Sequence, residues 1–170
     1  HILAAAIVGM FLAAIWGGIV GFLKAKTGAH EVILTIMMNY IASYFILWIL
    51  KTQSFLRPGR IDPIAPEVNQ NARLPLLAGA DFRLNFGIFI ALAAAIFVWW
   101  LLTKTTIGFK FRAVGANAQA ARTAGISVPF VITSTMMICG ALAGLGGATQ
   151  VLGSEYALNA DIAGSFGFDA

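Results

Sequence analysis

The side chain in this sequence best suited to specific recognition is the amide of Asn39, which lies inside a long apolar stretch. Met37, Met38 and Tyr40 surround it, and a buried amide costs free energy unless it finds a hydrogen-bond partner. Two interpretations stay open. Asn39 either bonds to a neighbouring helix and fixes packing, or it offers a donor and an acceptor to a polar solute, with Tyr40 or Phe45 as an aromatic wall.

A second set of polar residues lies at the end of the last apolar stretch. Gln150 is close to that end, and Glu155 and Tyr156 follow shortly after it. We expect Gln150 to make a second contact along a path for a polar solute, and Glu155 with Tyr156 to line its mouth. The expected path therefore comprises Asn39, Tyr40, Phe45, Gln150 and Glu155.

The sequence lacks the residues of a catalytic or cofactor site. It has no Gly-x-x-x-x-Gly-Lys-Ser/Thr loop to hold nucleotide phosphates, so we do not expect this chain to hydrolyse ATP. His1 and His30 are far apart, and Glu31 is adjacent to His30 rather than at helical ligand spacing. The single cysteine, Cys139, has no metal-binding companion, and we expect it to be a small packed core residue. We therefore expect no catalytic residue, no metal and no bound cofactor.

A basic segment between two apolar runs predicts a short helix with strong ends. Asn117 is a good N-cap, Ala118 to Ala124 favours helix, and Gly125 suits a left-handed C-terminal cap. Ser127 is expected to cap the next helix, with Pro129 tolerated in its first turn. A rigid basic helix suits docking into a groove of another protein, although a plain interhelical connector fits the same features. The expected docking residues are Arg112, Gly115, Asn117, Ala121, Arg122 and Gly125.

The elements that must position these residues are long apolar helices. Hydrophobic residues make up 59% of the chain and charged residues 11%, against about a quarter in ordinary soluble domains. Four runs contain no Asp, Glu, Lys or Arg, and a span requires roughly 17 to 25 helical residues. These runs are Ile2 to Leu23, Val32 to Leu50, Phe86 to Leu102 and Ile126 to Leu152. The predicted fold class is all-α, a polytopic transmembrane helical bundle with about four spans in this stretch.

The organisation expected from this pattern is one membrane domain over residues 1–170. His1 opens directly into an apolar run, so we expect truncation at both ends and further spans in the full protein. Small residues predict close helix packing in lipid. They stand four apart in the first and last runs, as Ala13, Gly17 and Gly21 and as Gly140, Gly144 and Ala148.

The net charge of +4 resides in the loops, where it indicates topology and lipid head-group anchoring rather than nucleic-acid binding. Residues 24–31 and 103–127 must share one side of the membrane, because two spans separate them. That side has six basic residues and the loop of residues 51–85 has five. Because the counts are nearly equal, charge alone does not orient the chain.

The segment of residues 108–126 resembles the cytoplasmic coupling-helix motif of ABC permeases of the branched-chain amino acid, ribose and nucleoside type. The matching residues are Gly108-Phe109, Arg112-Ala113-Val114-Gly115, Asn117, Ala120-Ala121-Arg122 and Gly125-Ile126. Other segments are similar to the nucleoside branch, namely Glu31 to Ile33, Met38 to Ala42, Ala72 to Pro75, Gly140 to Leu145 and Gly164 to Ala170. Gln150 departs from that branch, where an acidic residue is frequent, so no charge-based role is carried over to it.

This resemblance implies the permease subunit of an ABC importer for nucleosides, a multi-pass protein of the bacterial cytoplasmic (inner) membrane. It implies an ABC ATPase subunit that hydrolyses the ATP, a second permease subunit in a homo- or heterodimer, and an extracytoplasmic substrate-binding protein. It also implies that residues 103–127 form a cytoplasmic coupling loop and residues 51–85 an extracytoplasmic loop. Asn39 would then contact a nucleoside, and Tyr40 or Phe45 its base.

Two alternatives are kept. The first is an ABC permease for ribose or another simple sugar, or for branched-chain amino acids. The second, an ion-coupled secondary transporter, is less favoured because such proteins commonly place charged groups within their spans. The four apolar runs of this chain contain none.

Overall fold

The computed structural model describes residues 2–28, 30–52, 64–68 and 86–158, which form six α-helices and one π-helical turn. They are α1 (Ile2–Thr27), α2 (Glu31–Lys51), α3 (Gly87–Lys104), α4 (Thr106–Ala116), α5 (Ala118–Thr123), α6 (Val128–Gln150) and the π turn (Val151–Glu155). Four of these helices, α1, α2, α3 and α6 with its π turn, are long and apolar enough to cross a membrane. The predicted all-α bundle with four spans is confirmed.

The most extensive helix contact joins α1 and α6, which run antiparallel. A Cβ atom built at Gly17 would lie 3.2 Å from the Cα atom of Gly140, and one built at Gly140 would collide with the carbonyl oxygen of Ala13. Towards the start of α1, Gly9 lies near Ala148. Of the small residues that predict close packing, Ala13 and Gly17 meet Gly140 and Gly144, and the backbones there approach at distances that larger side chains would prevent.

The antiparallel pair defines two ends of the bundle. At one end, which we call the α5 end, α1 finishes and α6 begins, next to α5. At the far end, the loop between α2 and α3 bonds to the segment after α6. The Ala65 N–H donates to the Leu158 carbonyl at 2.8 Å, and the Val68 N–H donates to the Tyr156 carbonyl at 2.7 Å. The described part of that loop thus lies at the opposite end from α5.

One local expectation was confirmed in position only, and another was wrong. Ser127 occupies the N-cap position of α6, but its side chain makes no capping hydrogen bond. Pro129 stands second in the helix and has no N–H, which removes one of the two donors a capping oxygen uses. Cys139 is exposed rather than packed. It precedes Gly140 by one residue, so it is rotated by about 100° from the face that meets α1.

The segment between α3 and α6 contains more helix than expected, because α4 precedes the predicted short helix. Some sequence expectations lie outside the described residues. These are the segments Ala72 to Pro75 and Gly164 to Ala170, and most of the loop of residues 51–85.

Candidate functional site

The short helix α5 begins at a side-chain cap, as the sequence predicts. Asn117 has extended backbone angles, and its Oδ1 accepts hydrogen bonds from the N–H groups of Gln119 and Ala120, both at 3.0 Å. An N-cap of this kind satisfies donors that have no partner within the helix. Asn117 also ends α4, since its own N–H donates to the Ala113 carbonyl at 3.1 Å. One residue therefore joins the two helices and fixes the turn between them.

The other end of α5 is closed by a Schellman motif. Gly125 adopts φ +80°, a left-handed conformation that glycine takes without a Cβ penalty. The N–H of Gly125 donates to the Arg122 carbonyl, and the N–H of Ile126 donates to the Ala121 carbonyl, both at 3.0 Å. Both ends of a helix of only six residues are thus held, which makes it a defined projection rather than an irregular loop.

The six expected docking residues divide into an outer and an inner group. Ala121 is 4% exposed, so its methyl group faces the chain, where α5 contacts α4 and α6. The other five, Arg112, Gly115, Asn117, Arg122 and Gly125, are exposed. These five remain available to another protein, whereas Ala121 acts by seating α5.

Sequence reasoning missed the joint between α3 and α4. Thr105 alone separates the two helices, and Gly108 is buried against the end of α3. The signals were present, because a threonine after a charged helix end is a good N-cap and a glycine three residues later permits a close backbone approach.

The expected path residues on α2 do not share one face. Because α2 is a continuous helix, Tyr40 is rotated by about 100° and Phe45 by about 240° from Asn39. All three side chains are exposed. Phe45 stacks on Trp48 of its own helix, with ring centroids 6.1 Å apart. Within the described part of the chain the Asn39 amide makes no hydrogen bond, so neither interpretation of it is settled by these helices.

The remaining path residues lie far from Asn39 along the bundle. Asn39 is about 12 Å from the start of α2, and Gln150 is about 33 Å from the start of α6, at a rise of about 1.5 Å per residue. Gln150 is half-buried, and Glu155 is exposed in the π turn. Tyr156 has φ +54°, a left-handed conformation unusual for tyrosine. The expected path residues therefore lie at different depths along the bundle and do not line one pocket.

Two adjoining open grooves lie along the seam between α1 and α6, with volumes of about 480 and 310 Å³. Both linings are mainly apolar. Phe22, Lys26 and Phe130 line the larger groove, and Ile15, Ile19 and Met137 line the smaller one. No expected path residue lines either groove. Among the described residues no group of three or more His, Cys, Asp or Glu could hold a metal ion.

Comparison with known proteins finds a matching family model and several similar permeases. The family model described as branched-chain amino acid transport system / permease component matches residues 1–170. The guanosine ABC transporter permease protein NupP of Bacillus subtilis is 41% identical over 99% of this chain and 49% of its own length. The nucleoside ABC transporter permease protein NupB of Lactococcus lactis is 36% identical over 86% of this chain and 42% of its own length.

A third relative is the glucose ABC transporter permease protein TsgB13 of Haloferax volcanii, which is 31% identical over 99% of this chain and 45% of its own length. The chain thus spans about half the length of the relatives it matches. No solved structure matches it. Four apolar helices and these permease relatives identify a multi-pass protein of the bacterial cytoplasmic (inner) membrane. The chain belongs to the family of permease components of the branched-chain amino acid transport system type.

Proposed function

We propose that the complete protein is the permease subunit of an ABC importer for nucleosides, and that this chain contributes four of its spans and its coupling loop. The nucleoside assignment is supported by the two relatives named for guanosine and nucleoside transport, which match most of the chain. The residues that resemble the coupling motif lie on α4, from Gly108 to Gly115, and on α5 with its caps, from Asn117 to Ile126.

The single observation that carries the proposal is the doubly capped helix α5 at the end of the bundle. Its first residues are fixed by Asn117 and its last by Gly125, so it can transmit force without fraying. Arg112 and Arg122 are exposed there and can bond to carboxylates of a partner. The partner is an ATPase subunit that binds and hydrolyses ATP. This chain itself binds no cofactor under the proposal.

The proposal orients the chain, because a helix that docks on an ATPase lies in the cytoplasm. Residues 103–127 are then cytoplasmic, and the loop of residues 51–85 faces outward towards a substrate-binding protein. A cysteine at Glu67, in a Cys139→Ala background, should react with a membrane-impermeant thiol reagent in intact cells. A cysteine at Gln119 should react only after lysis. The opposite pattern would reverse the orientation and remove α5 from the ATPase.

A second permease subunit completes the pathway under this proposal. Many apolar side chains of the spans are exposed in the single chain, among them Phe11 of α1, Trp48 of α2 and Phe97 of α3. Such surfaces must meet lipid, the rest of the protein or the second permease subunit. Asn39, Gln150 and Glu155 would touch the solute in turn along the depth of the bundle, and weak contacts of this kind permit release.

Transport of a simple sugar is the second candidate, because the glucose permease relative matches as much of the chain as the guanosine permease relative does. The deciding experiment is ATP-dependent uptake by the full-length permease reconstituted with its ATPase, second permease subunit and binding protein. Labelled nucleosides, ribose, glucose and branched-chain amino acids are compared. Nucleoside uptake alone supports the proposal. Uptake of sugar alone would replace the substrate but retain the permease, and uptake driven by an ion gradient without ATP would contradict both.

A further inference from the structure

The joint between α3 and α4 is built from one residue with an unusual set of bonds. Thr105 has extended backbone angles, φ −113° and ψ 153°, and it is both the C-cap residue of α3 and the N-cap residue of α4. Its backbone carbonyl accepts the Phe109 N–H at 3.1 Å, which starts the hydrogen bonding of α4. A direction change over one residue leaves little backbone freedom, so the side chain decides how rigid the joint is.

The Thr105 hydroxyl bonds to both helices at once. Its Oγ1 donates to the Leu101 carbonyl of α3 at 2.5 Å and accepts the Gly108 N–H of α4 at 3.0 Å. Thr103, two residues earlier, provides a contrast, because its hydroxyl donates only to the Trp99 carbonyl of its own helix, at 2.7 Å. The Thr105 side chain therefore ties the end of α3 to the start of α4, and the Thr103 side chain does not.

Gly108 allows the two helices to make this contact. It is buried, and a Cβ atom there would collide with the Leu101 carbonyl oxygen and lie 2.7 Å from the Leu102 Cα atom. Both are backbone atoms, which cannot rotate away as a flexible side chain can. Any larger residue at position 108 must push α4 away from α3 and lengthen the bonds of Thr105.

The far end of α4 is held in a similar way. Asn117 is the single residue between α4 and α5, and it bonds to both helices. The helices α3, α4 and α5 are thus connected by two single-residue joints. The Thr105 side chain bonds to both of its helices, whereas Asn117 bonds to α4 through its backbone N–H and to α5 through its side chain. No flexible linker separates α5 from α4 or α4 from α3. A displacement of α5 is therefore passed on to the span α3.

We propose that Thr105 and Gly108 are positioning residues that lock α4 to α3, so that movement of α5 against an ATPase is delivered to the membrane span α3. This inference rests on the proposed function, since it assumes that α5 docks on an ATPase. Neither residue needs to touch the ATPase or the solute. Their effect is on the yield of transport per ATP hydrolysed and not on assembly of the transporter.

The test compares Thr105→Val with Thr105→Ser in the full-length permease, reconstituted with its ATPase, second permease subunit and binding protein. Valine keeps the shape and removes the hydroxyl, and serine keeps the hydroxyl. Thr103→Val is the matched control, because it removes a hydroxyl that bonds only within α3. We expect Thr105→Val to lower uptake per ATP about fivefold, which corresponds to about 1 kcal/mol, the contribution of a typical hydrogen bond. Thr105→Ser and Thr103→Val should match the unmodified protein.

Gly108→Ala provides a second variant with a different physical basis, and Gly146→Ala is its control because a Cβ at Gly146 meets nothing within 4 Å.

A spectroscopic measurement reports on the geometry of the joint between α3 and α4. Spin labels are placed at the exposed residues Ile96 of α3 and Ala116 of α4 in a Cys139→Ala background. The distance distribution between them should be narrow in Thr105→Ser and broader or shifted in Thr105→Val and Gly108→Ala.

The outcomes separate this inference from the proposed function. If no ATPase binds the unmodified permease, the proposed function fails, and the spin-label distances alone then decide whether the joint is rigid. If Thr105→Val assembles normally and keeps its uptake per ATP, the joint does not transmit motion. Loss of ATPase binding in Thr105→Val would also overturn the inference, because the residue would then serve docking. Unchanged distances in both variants would contradict the lock directly.

Discussion

Replacing Gly21 with alanine should weaken the contact between α1 and α6. The added Cβ would lie 2.8 Å from the Met136 Cβ and 2.9 Å from the Thr133 Cα. The optimal separation of two carbon atoms starts at about 3.5 Å, so the helices would have to move apart by about 0.7 Å at this point. Neither neighbouring atom belongs to the flexible end of a side chain, and overpacking of this kind typically costs about 1 to 3 kcal/mol.

The control for this variant is Gly146→Ala, which places the same methyl group on a helix where nothing lies within 4 Å. Alanine favours helix over glycine by about 1 kcal/mol, and this gain cancels when the two variants are compared. The expected difference is therefore about 1 to 3 kcal/mol, which corresponds to a factor of about 5 to about 150 in the unfolding equilibrium. Gly18→Ala should have a smaller effect, because its new methyl would meet the movable side chain of Met137.

The assay is reversible unfolding of the full-length permease in mixed micelles with an increasing fraction of SDS, followed by the intrinsic tryptophan fluorescence. The predicted order of stability is Gly146→Ala, then Gly18→Ala, then Gly21→Ala. Equal midpoints for Gly21→Ala and Gly146→Ala would refute the reasoning, since they would show that the close approach of α1 and α6 does not contribute to stability.

Three further predictions concern the caps and the path. Asn117→Ala should destabilise α5 by about 0.5 to 2 kcal/mol, and Asn117→Ser by much less. Hydrogen exchange of the α5 amides measures this difference. Equal exchange in the two variants would contradict a capping role for the Asn117 side chain. Gly125→Val should lower uptake per ATP, because a β-branched residue is strained at φ +80°, and normal coupling would show that the Schellman turn is dispensable. Asn39→Leu should reduce nucleoside uptake. Ser43→Ala should not, because the Ser43 hydroxyl donates only to the Asn39 backbone carbonyl, at 3.0 Å. Uptake by Asn39→Leu equal to that of the unmodified protein would remove Asn39 from the path.

The spans were predictable because membrane crossing depends on length and apolar composition. The first predicted run ends at Leu23, and α1 continues to Thr27, since polar residues can extend a helix beyond the hydrocarbon region. The caps of α5 were predictable for a related reason. Asn117 and Gly125 act on backbone groups within a few residues, so their effect does not depend on the rest of the fold.

Features that depend on tertiary contacts were not predictable in the same way. The helix α4 was missed because its 11 residues include two glycines, and because the cap signal at Thr105 does not by itself show that Gly108 packs on α3. The burial of Ala121 was missed because a methyl group suits either a docking face or a packed one. Asn39 was predicted for its amide and Phe45 for its aromatic ring, and the rotation of α2 separates the two side chains.

Coupling of this permease to ATP hydrolysis requires contact between α5 and an ATPase subunit. A photo-cross-linking amino acid at Gln119, which is exposed on α5, should capture the ATPase in membranes that contain the complete transporter. The same group at Glu67, at the far end of the bundle, should not capture it. The capture at Gln119 should change in yield between ATP-bound and nucleotide-free conditions. Capture of the ATPase from Glu67, or none from Gln119 in a transporter that takes up nucleosides with ATP, would contradict the account.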